Sequence, residues 1–199
     1  MEITQTHDTK ILSAMVDLLV SSAQGVEDYG FTHISSGDLL RAEVKAGTPI
    51  GVMCANLMKE GKLVPMETPL LLIKNAMKKA DHKKFLIDGF PRALDQAVAF
   101  ANNIQEPDFV LYFDCPLETM AERLLARGLS SGRADDNMDT IKLRFETFET
   151  QSMPVLDFYK GRGCANVVSS VPTPDEVYSE VASVMAKNEV KPLRIADKV

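Results

Sequence analysis

The sequence predicts an α/β protein built on a parallel sheet with flanking helices, and three observations predict it. Apolar, strand-like runs alternate along the chain with helical patterns, which is how βαβ units read. One such run, Phe85-Leu86-Ile87, ends in the carboxylate of Asp88 and is followed by Gly89-Phe90-Pro91-Arg92. An unalternating apolar run of this kind is a buried parallel strand. Residues 89–92 then lie at its carboxyl end, where open α/β sheets place their ligands. The third observation is bulk: 199 residues with 45% apolar and 25% charged side chains suit one domain with a core of its own.

Taken in order, Ile11, Leu12, Met15, Val16, Leu19 and Val20 recur at helical spacing, with Asp8 or Thr9 as cap and Gly25 as stop, so the chain is expected to open on an amphipathic helix. A strand ahead of it has only residues 1–6 to use, and these are too polar for the centre of a parallel sheet. Residues 31–35 are a short strand. Residues 37–46 and 50–60 are helices separated by Gly47-Thr48-Pro49, with Pro49 suited to a first helical turn. Residues 67–79 are helical, and 84–87 are the strand that ends at Asp88. Residues 93–103 are a helix with apolar positions 94, 97, 98 and 101. Residues 109–113 are a strand, 117–126 a helix ending at Gly128, and 129–136 a polar loop. Residues 137–161 are mostly helical, with Phe145, Phe148, Met153 and Phe158 as a core face. Residues 165–168 are a strand, 174–187 a last helix, and 188–199 a loose tail.

A net charge of −6 argues against nucleic acid as the main partner, so an anionic ligand must be held by a local cluster of arginines. Cys54, Cys115 and Cys164 fit neither a disulfide framework nor a zinc pattern and read as buried thiols. No run approaches the ~20 apolar residues of a membrane span. Residues 1–10 resemble no targeting peptide, so a monomer in a reducing, cytoplasmic setting is expected.

Six arginines stand in recognisable local frames: Arg41, Arg92, Arg123, Arg127, Arg133 and Arg144. Guanidinium is always charged and pairs bidentately with phosphate oxygens, so such a set at strand ends and in one polar loop suits a row of phosphates. The frames are Ser35-Ser36-Gly37-Asp38-Leu39-Leu40-Arg41, Gly61-Lys62-Leu63-Val64-Pro65, Asp88-Gly89-Phe90-Pro91-Arg92 with Gln96, and Arg127 to Asn137. In this order and spacing, residues 29–187 strongly resemble the nucleoside monophosphate kinases, adenylate kinase in particular.

The resemblance implies a P-loop-kinase-like sheet, a small helical acceptor insert at residues 36–65 and a short lid at residues 128–136 that needs no structural zinc. It implies the reaction ATP + AMP = 2 ADP with magnesium, which Asp88 would hold through water rather than ligate directly. The acceptor site would be Ser36, Arg41, Val64, Gly89, Arg92 and Gln96. Arg41 and Arg92 would take the monophosphate, while the Val64 backbone and the Gln96 amide would read the base. Gln96 favours AMP, since pyrimidine-specific relatives carry Asn there; Ser36 stands where Thr is common. Arg123 and Arg127 would lie near ATP, Arg127 close to the adenine. Arg133 and Arg144 would clamp the transferring phosphoryl group, and Asp135 and Asp136 would help close the lid or serve as a helix N-terminal charge pair.

The chain departs from the family at its start. The family pattern is a central strand, Gly-x-Pro-Gly-x-Gly-Lys-Gly-Thr, and a helix. Here no glycine precedes Gly25, and the lysine position counted back from Tyr29 falls on Leu18. The first central strand and the phosphate loop are therefore expected to be missing. Lys10 is a poor substitute, having no glycine nest around it. Three readings are open: an active kinase, a nucleotide-binding pseudo-enzyme that keeps the AMP site, or an alternative or misassembled N-terminus whose gene encodes the strand and loop upstream.

Overall fold

The computed structural model describes residues 9–15, 28–133 and 135–193. Its framework is one sheet of five parallel strands: β1 (Lys10–Met15), β2 (Thr32–Ser35), β3 (Lys84–Asp88), β4 (Phe109–Asp114) and β5 (Ala165–Ser169). Their spatial order is β2-β3-β1-β4-β5. The α/β class read from the sequence is the observed one.

The start of the chain is the main correction. Residues 10–15 are the central strand, not the first turn of a helix. Ile11 lies beside Phe85 of β3, and Leu12 beside both Leu86 of β3 and Phe109 of β4. Ile11 packs on one face with Ile34, Ile73, Ile87 and Phe100, while Leu12 and Ala14 pack on the other with Phe31, Leu111, Val177 and Val181. The misreading has a physical cause. A central parallel strand is buried on both faces, so it lacks the alternation that marks a half-buried strand, and a short apolar run cannot be told from a helix by periodicity. Two neighbouring strands offer ladder bonds on both sides, which satisfies the backbone groups of the run. Asp108 holds the strand's entry, accepting from the Ile11 N–H at 2.7 Å and pairing with Lys10 Nζ at 3.1 Å. The expected missing strand is thus present. Residues 1–8 and 16–27, which carry the rest of the expected helix and its stop, lie outside the described residues.

The helices are α1 (Ser36–Ala46), α2 (Pro49–Lys59), α3 (Glu67–Lys79), α4 (Leu94–Asn103), α5 (Leu117–Ser131), α6 (Met138–Thr147), α7 (Met153–Gly161) and α8 (Pro174–Lys187). Ser35 caps α1, and Thr48 caps α2 with Pro49 in its first turn. Thr173 and Glu176 form a capping box on α8. Residues 148–152 form a π-helical segment joining α6 to α7, so the predicted long helix is one continuous rod with a wide turn.

Two further expectations are corrected. Helix α5 does not end at Gly128 but runs on to Ser131 and stops at Gly132, whose φ of 65° is the left-handed conformation of a helix terminus. Gly128 is small for another reason: a Cβ there would lie 2.6 Å from the Asp136 carbonyl oxygen, where the chain returns past the helix. The polar loop is correspondingly shorter. The tail also packs as far as residue 193: Val190 is buried, and the Leu193 N–H donates to the Asp28 carbonyl at 2.7 Å. Residues 194–199 lie outside the described residues.

Candidate active site

All five strands point their carboxyl ends at one cleft of about 470 Å³, reached by Met15 at the end of β1, Ser36 after β2, Gly89 after β3, Cys115 after β4 and Ser170 after β5. Parallel strands converge in this way because every crossover helix returns the chain to the same edge.

Gly89 organises one half. Its φ of 68° suits glycine, and a Cβ there would meet the Arg92 guanidinium at 2.6 Å. Its N–H donates to the Ala14 carbonyl at 2.9 Å, tying the turn to the end of β1. Its carbonyl accepts from Ser36 Oγ at 2.8 Å and from Arg92 Nε at 2.6 Å. The Arg92 backbone is held at both ends: its N–H donates to Gln96 Oε1 at 2.8 Å, and its carbonyl accepts from Ser152 Oγ at 2.8 Å. Because Arg92 N is a donor, Gln96 must present its oxygen there, which turns its amide NH2 away from Arg92. Val64 is buried and lines the same cleft, as does Arg41 of α1. The structure therefore brings Ser36, Arg41, Val64, Gly89, Arg92 and Gln96 together.

The other half holds Arg123, whose Nη1 donates to the Ser170 carbonyl at 2.7 Å. Arg127 and Asp136 form a bidentate pair at 2.6 and 2.8 Å, with the two side chains 7% and 0% exposed. Arg144 reaches Asp135 at 3.3 Å and Asp136 at 3.2 Å. Arg127 was expected beside an adenine; here its guanidinium is committed to Asp136, because a buried carboxylate needs a charged partner. Asp135 and Asp136 act as partners for arginines on α5 and α6 rather than as a simple N-terminal charge pair. Arg133 stands at the rim, donating to Asp38 Oδ1 at 3.1 Å. Asp88 lies just behind Gly89, mostly buried, with His33 Nε2 at 3.4 Å.

Several of these groups escaped the sequence reading. Asp38 pairs with Arg41 at 2.6 Å and with Arg133. Partial burial pushes its carboxyl up, but the Arg41 hydrogen bond and the charges of Arg41 and Arg133 outweigh this and hold it below the usual carboxylate range. The three-residue spacing from Asp38 to Arg41 on a helix was the available signal. His33, read as a packed or surface residue, faces Asp88, and Ser152 and Ser13 carry no motif at all. Among the cysteines only Cys54 is fully buried; Cys115 and Cys164 are half-buried, since each adjoins a strand end at the sheet margin. Phe145, expected in the core, lines the cleft.

Sheet order and cleft together define a P-loop-kinase-like α/β protein. A family model described as adenylate kinase matches residues 20–164. The chain is 48% identical over 160 residues to a uridylate kinase of Saccharomyces cerevisiae, covering 78% of each chain. It is 48% identical over 164 residues to adenylate kinase isoenzyme 1 of Gallus gallus, covering 81% of this chain and 84% of that one. It is 44% identical over 167 residues to UMP-CMP kinase 3 of Arabidopsis thaliana, covering 83% and 82%. The chain belongs to the adenylate kinase family.

Proposed function

We propose that the cleft is a two-nucleotide site for reversible phosphoryl transfer, ATP + AMP = 2 ADP, with turnover by this chain far below that of a relative bearing a glycine-rich phosphate loop. The observation that carries the reading is the convergence of Arg41 and Arg92 with Gln96 on one end of a cleft whose other end carries Arg123 and Arg144. Guanidinium pairs suit the two phosphate ends, and positioning plus fixed charge supply most of the catalysis in phosphoryl transfer. Asp88 is the carboxylate nearest the turn. A single carboxylate suits a magnesium ion that arrives with ATP and takes its other ligands from phosphate and water. The ion would neutralise charge on the phosphate oxygens; Arg133 and Arg144 would hold the transferring group, and Arg92 and Arg41 the acceptor.

Relatives named for uridylate and for adenylate are equally similar in identity, so the base preference rests on Gln96. Its NH2 donor suits adenine N1, an unprotonated ring nitrogen, and its oxygen has a second lone pair for the exocyclic amine. AMP is therefore the expected acceptor over UMP and CMP. In Arg92→Ala the AMP affinity measured by calorimetry is expected to fall by roughly 10- to 100-fold, as for loss of a charge-assisted hydrogen bond. An unchanged affinity would remove Arg92 from the acceptor site.

A second reading, a nucleotide-binding protein without turnover, is favoured by one observation. No lysine lies between Lys10 and Lys45. Lys10 sits at the amino end of β1 on Asp108, the end of the sheet away from the cleft. Assaying ADP formation alongside AMP binding separates the two readings: binding with background turnover supports the second, and neither binding nor turnover sinks both.

A further inference from the structure

Two of the cleft's arginines share one carboxylate oxygen. Asp38 Oδ1 accepts from Arg41 Nη2 at 2.6 Å, from Arg41 Nε at 3.1 Å and from Arg133 Nη2 at 3.1 Å. Arg41 belongs to helix α1 of the acceptor insert, whereas Arg133 lies 95 residues beyond Asp38, past the end of α5 in the lid. One carboxylate therefore ties lid to insert. It does so through the Nε/Nη2 edge of Arg41, the edge by which guanidinium grips a phosphate.

The arrangement leaves one donor over. Arg133 Nη1 is buried and has no hydrogen-bond partner among the described residues. A buried N–H without an acceptor is costly, and the bond from Nη2 to Asp38 does not cure it. A phosphoryl group, with three terminal oxygens, has the acceptors to serve Arg41 and both Arg133 nitrogens. The Asp38 side chain is 60% exposed, so water takes it up at little cost when it is displaced.

We infer that Asp38 is a placeholder anion, which latches the lid to the acceptor insert while the cleft holds no phosphate and is displaced from Arg41 and Arg133 when a nucleotide phosphate enters. The inference rests on the two-nucleotide reading of the cleft for the identity of the displacing group. It makes Asp38 a positioning residue: it touches neither nucleotide, and it acts by occupying the groups that do.

The test uses the full chain and Asp38→Asn, which removes the charge and keeps the shape. In nucleotide-free protein, hydrogen exchange read by mass spectrometry over residues 128–137 is expected to be about threefold faster in the variant, with α3 unchanged, as for loss of an exposed ion pair. Exchange at the unaltered rate overturns the latch. In calorimetry, AMP is expected to bind the variant about threefold more tightly, while adenosine, which has no phosphate to compete, binds both proteins alike. AMP binding that is equal or weaker in the variant overturns the placeholder role, as does a parallel shift for adenosine, which would mark a merely structural effect. Asp38→Glu restores the charge and is expected to return both readouts toward the unaltered chain. If the unaltered chain binds no AMP at millimolar concentration, the acceptor reading falls and the placeholder with it, while the exchange result still decides the tie between lid and insert.

Discussion

Replacing residues 10–28 by the family's strand, Gly-x-Pro-Gly-x-Gly-Lys-Gly-Thr loop and helix is expected to raise the rate of ADP formation by at least ~10³-fold. Removal of a single preorganised donor from a transition-state site costs about 3 kcal/mol in the best-studied cases, and here a nest of backbone N–H groups and a lysine are replaced together. The same graft is expected to leave AMP affinity within about threefold of the parent, because the acceptor residues all lie between Ser36 and Gln96, outside the replaced segment. A coupled assay for ADP with saturating ATP, AMP and magnesium reads the first quantity, and calorimetry the second. A parent chain that already turns over at the rate of the graft would show that residues 16–27 hold the donor phosphates by other means.

Asp136→Ala is expected to lower the free energy of unfolding by about 3–5 kcal/mol, equivalent to a Tm lower by roughly 6–20 °C for a chain of this size. The size comes from burial. Asp136 is fully buried and accepts from Arg127 twice and from Arg144 once, and truncation leaves the nearly buried Arg127 guanidinium without its principal counter-charge. Urea unfolding of the nucleotide-free protein measures it. The double variant Arg127→Leu/Asp136→Leu is expected to recover most of the loss, since paired apolar residues need no compensation for a buried charge. A single variant within about 1 kcal/mol of the parent would mean that solvent reaches Arg127 far more freely than its 7% exposure indicates.

The two predictions bear on opposite ends of the cleft from the acceptor half and the lid, and these regions differ in how legible they were. The acceptor half is carried by short stretches of chain. Asp88 to Gln96 spans a strand end, a glycine turn and the first turn of α4, and its bonds run between residues three and four apart, Arg92 to Gly89 and Gln96 to Arg92. Local geometry of that kind is written in residue order, so the stretch read correctly as a strand end with a phosphate-facing arginine. The lid was less legible. Gly128 looks like a helix stop by composition, yet it sits inside α5 because Asp136 returns close against it. Arg127 looks like any solvent-facing arginine of a helix, yet Asp136 claims it. No periodicity carries that information, because the partner arrives from outside the helix.

The sequence by itself determined the α/β class, the strand-and-helix alternation from residue 32 onward and the acceptor half of the site, all of which depend on neighbours within about one helical turn or on the apolar pattern of a single element. It also determined a lack that no packing can supply: between Lys10 and Lys45 there is no lysine, and before Gly25 no glycine. Only the tertiary structure decided what fills the centre of the sheet. Lys10–Met15 carries the spacing of a helix, and it becomes β1 because β3 and β4 present unpaired backbone on both sides of a slot that is apolar on both faces. The same holds for the tie from Asp38 to Arg133, where the two side chains meet only because α1 and the lid close over one cleft.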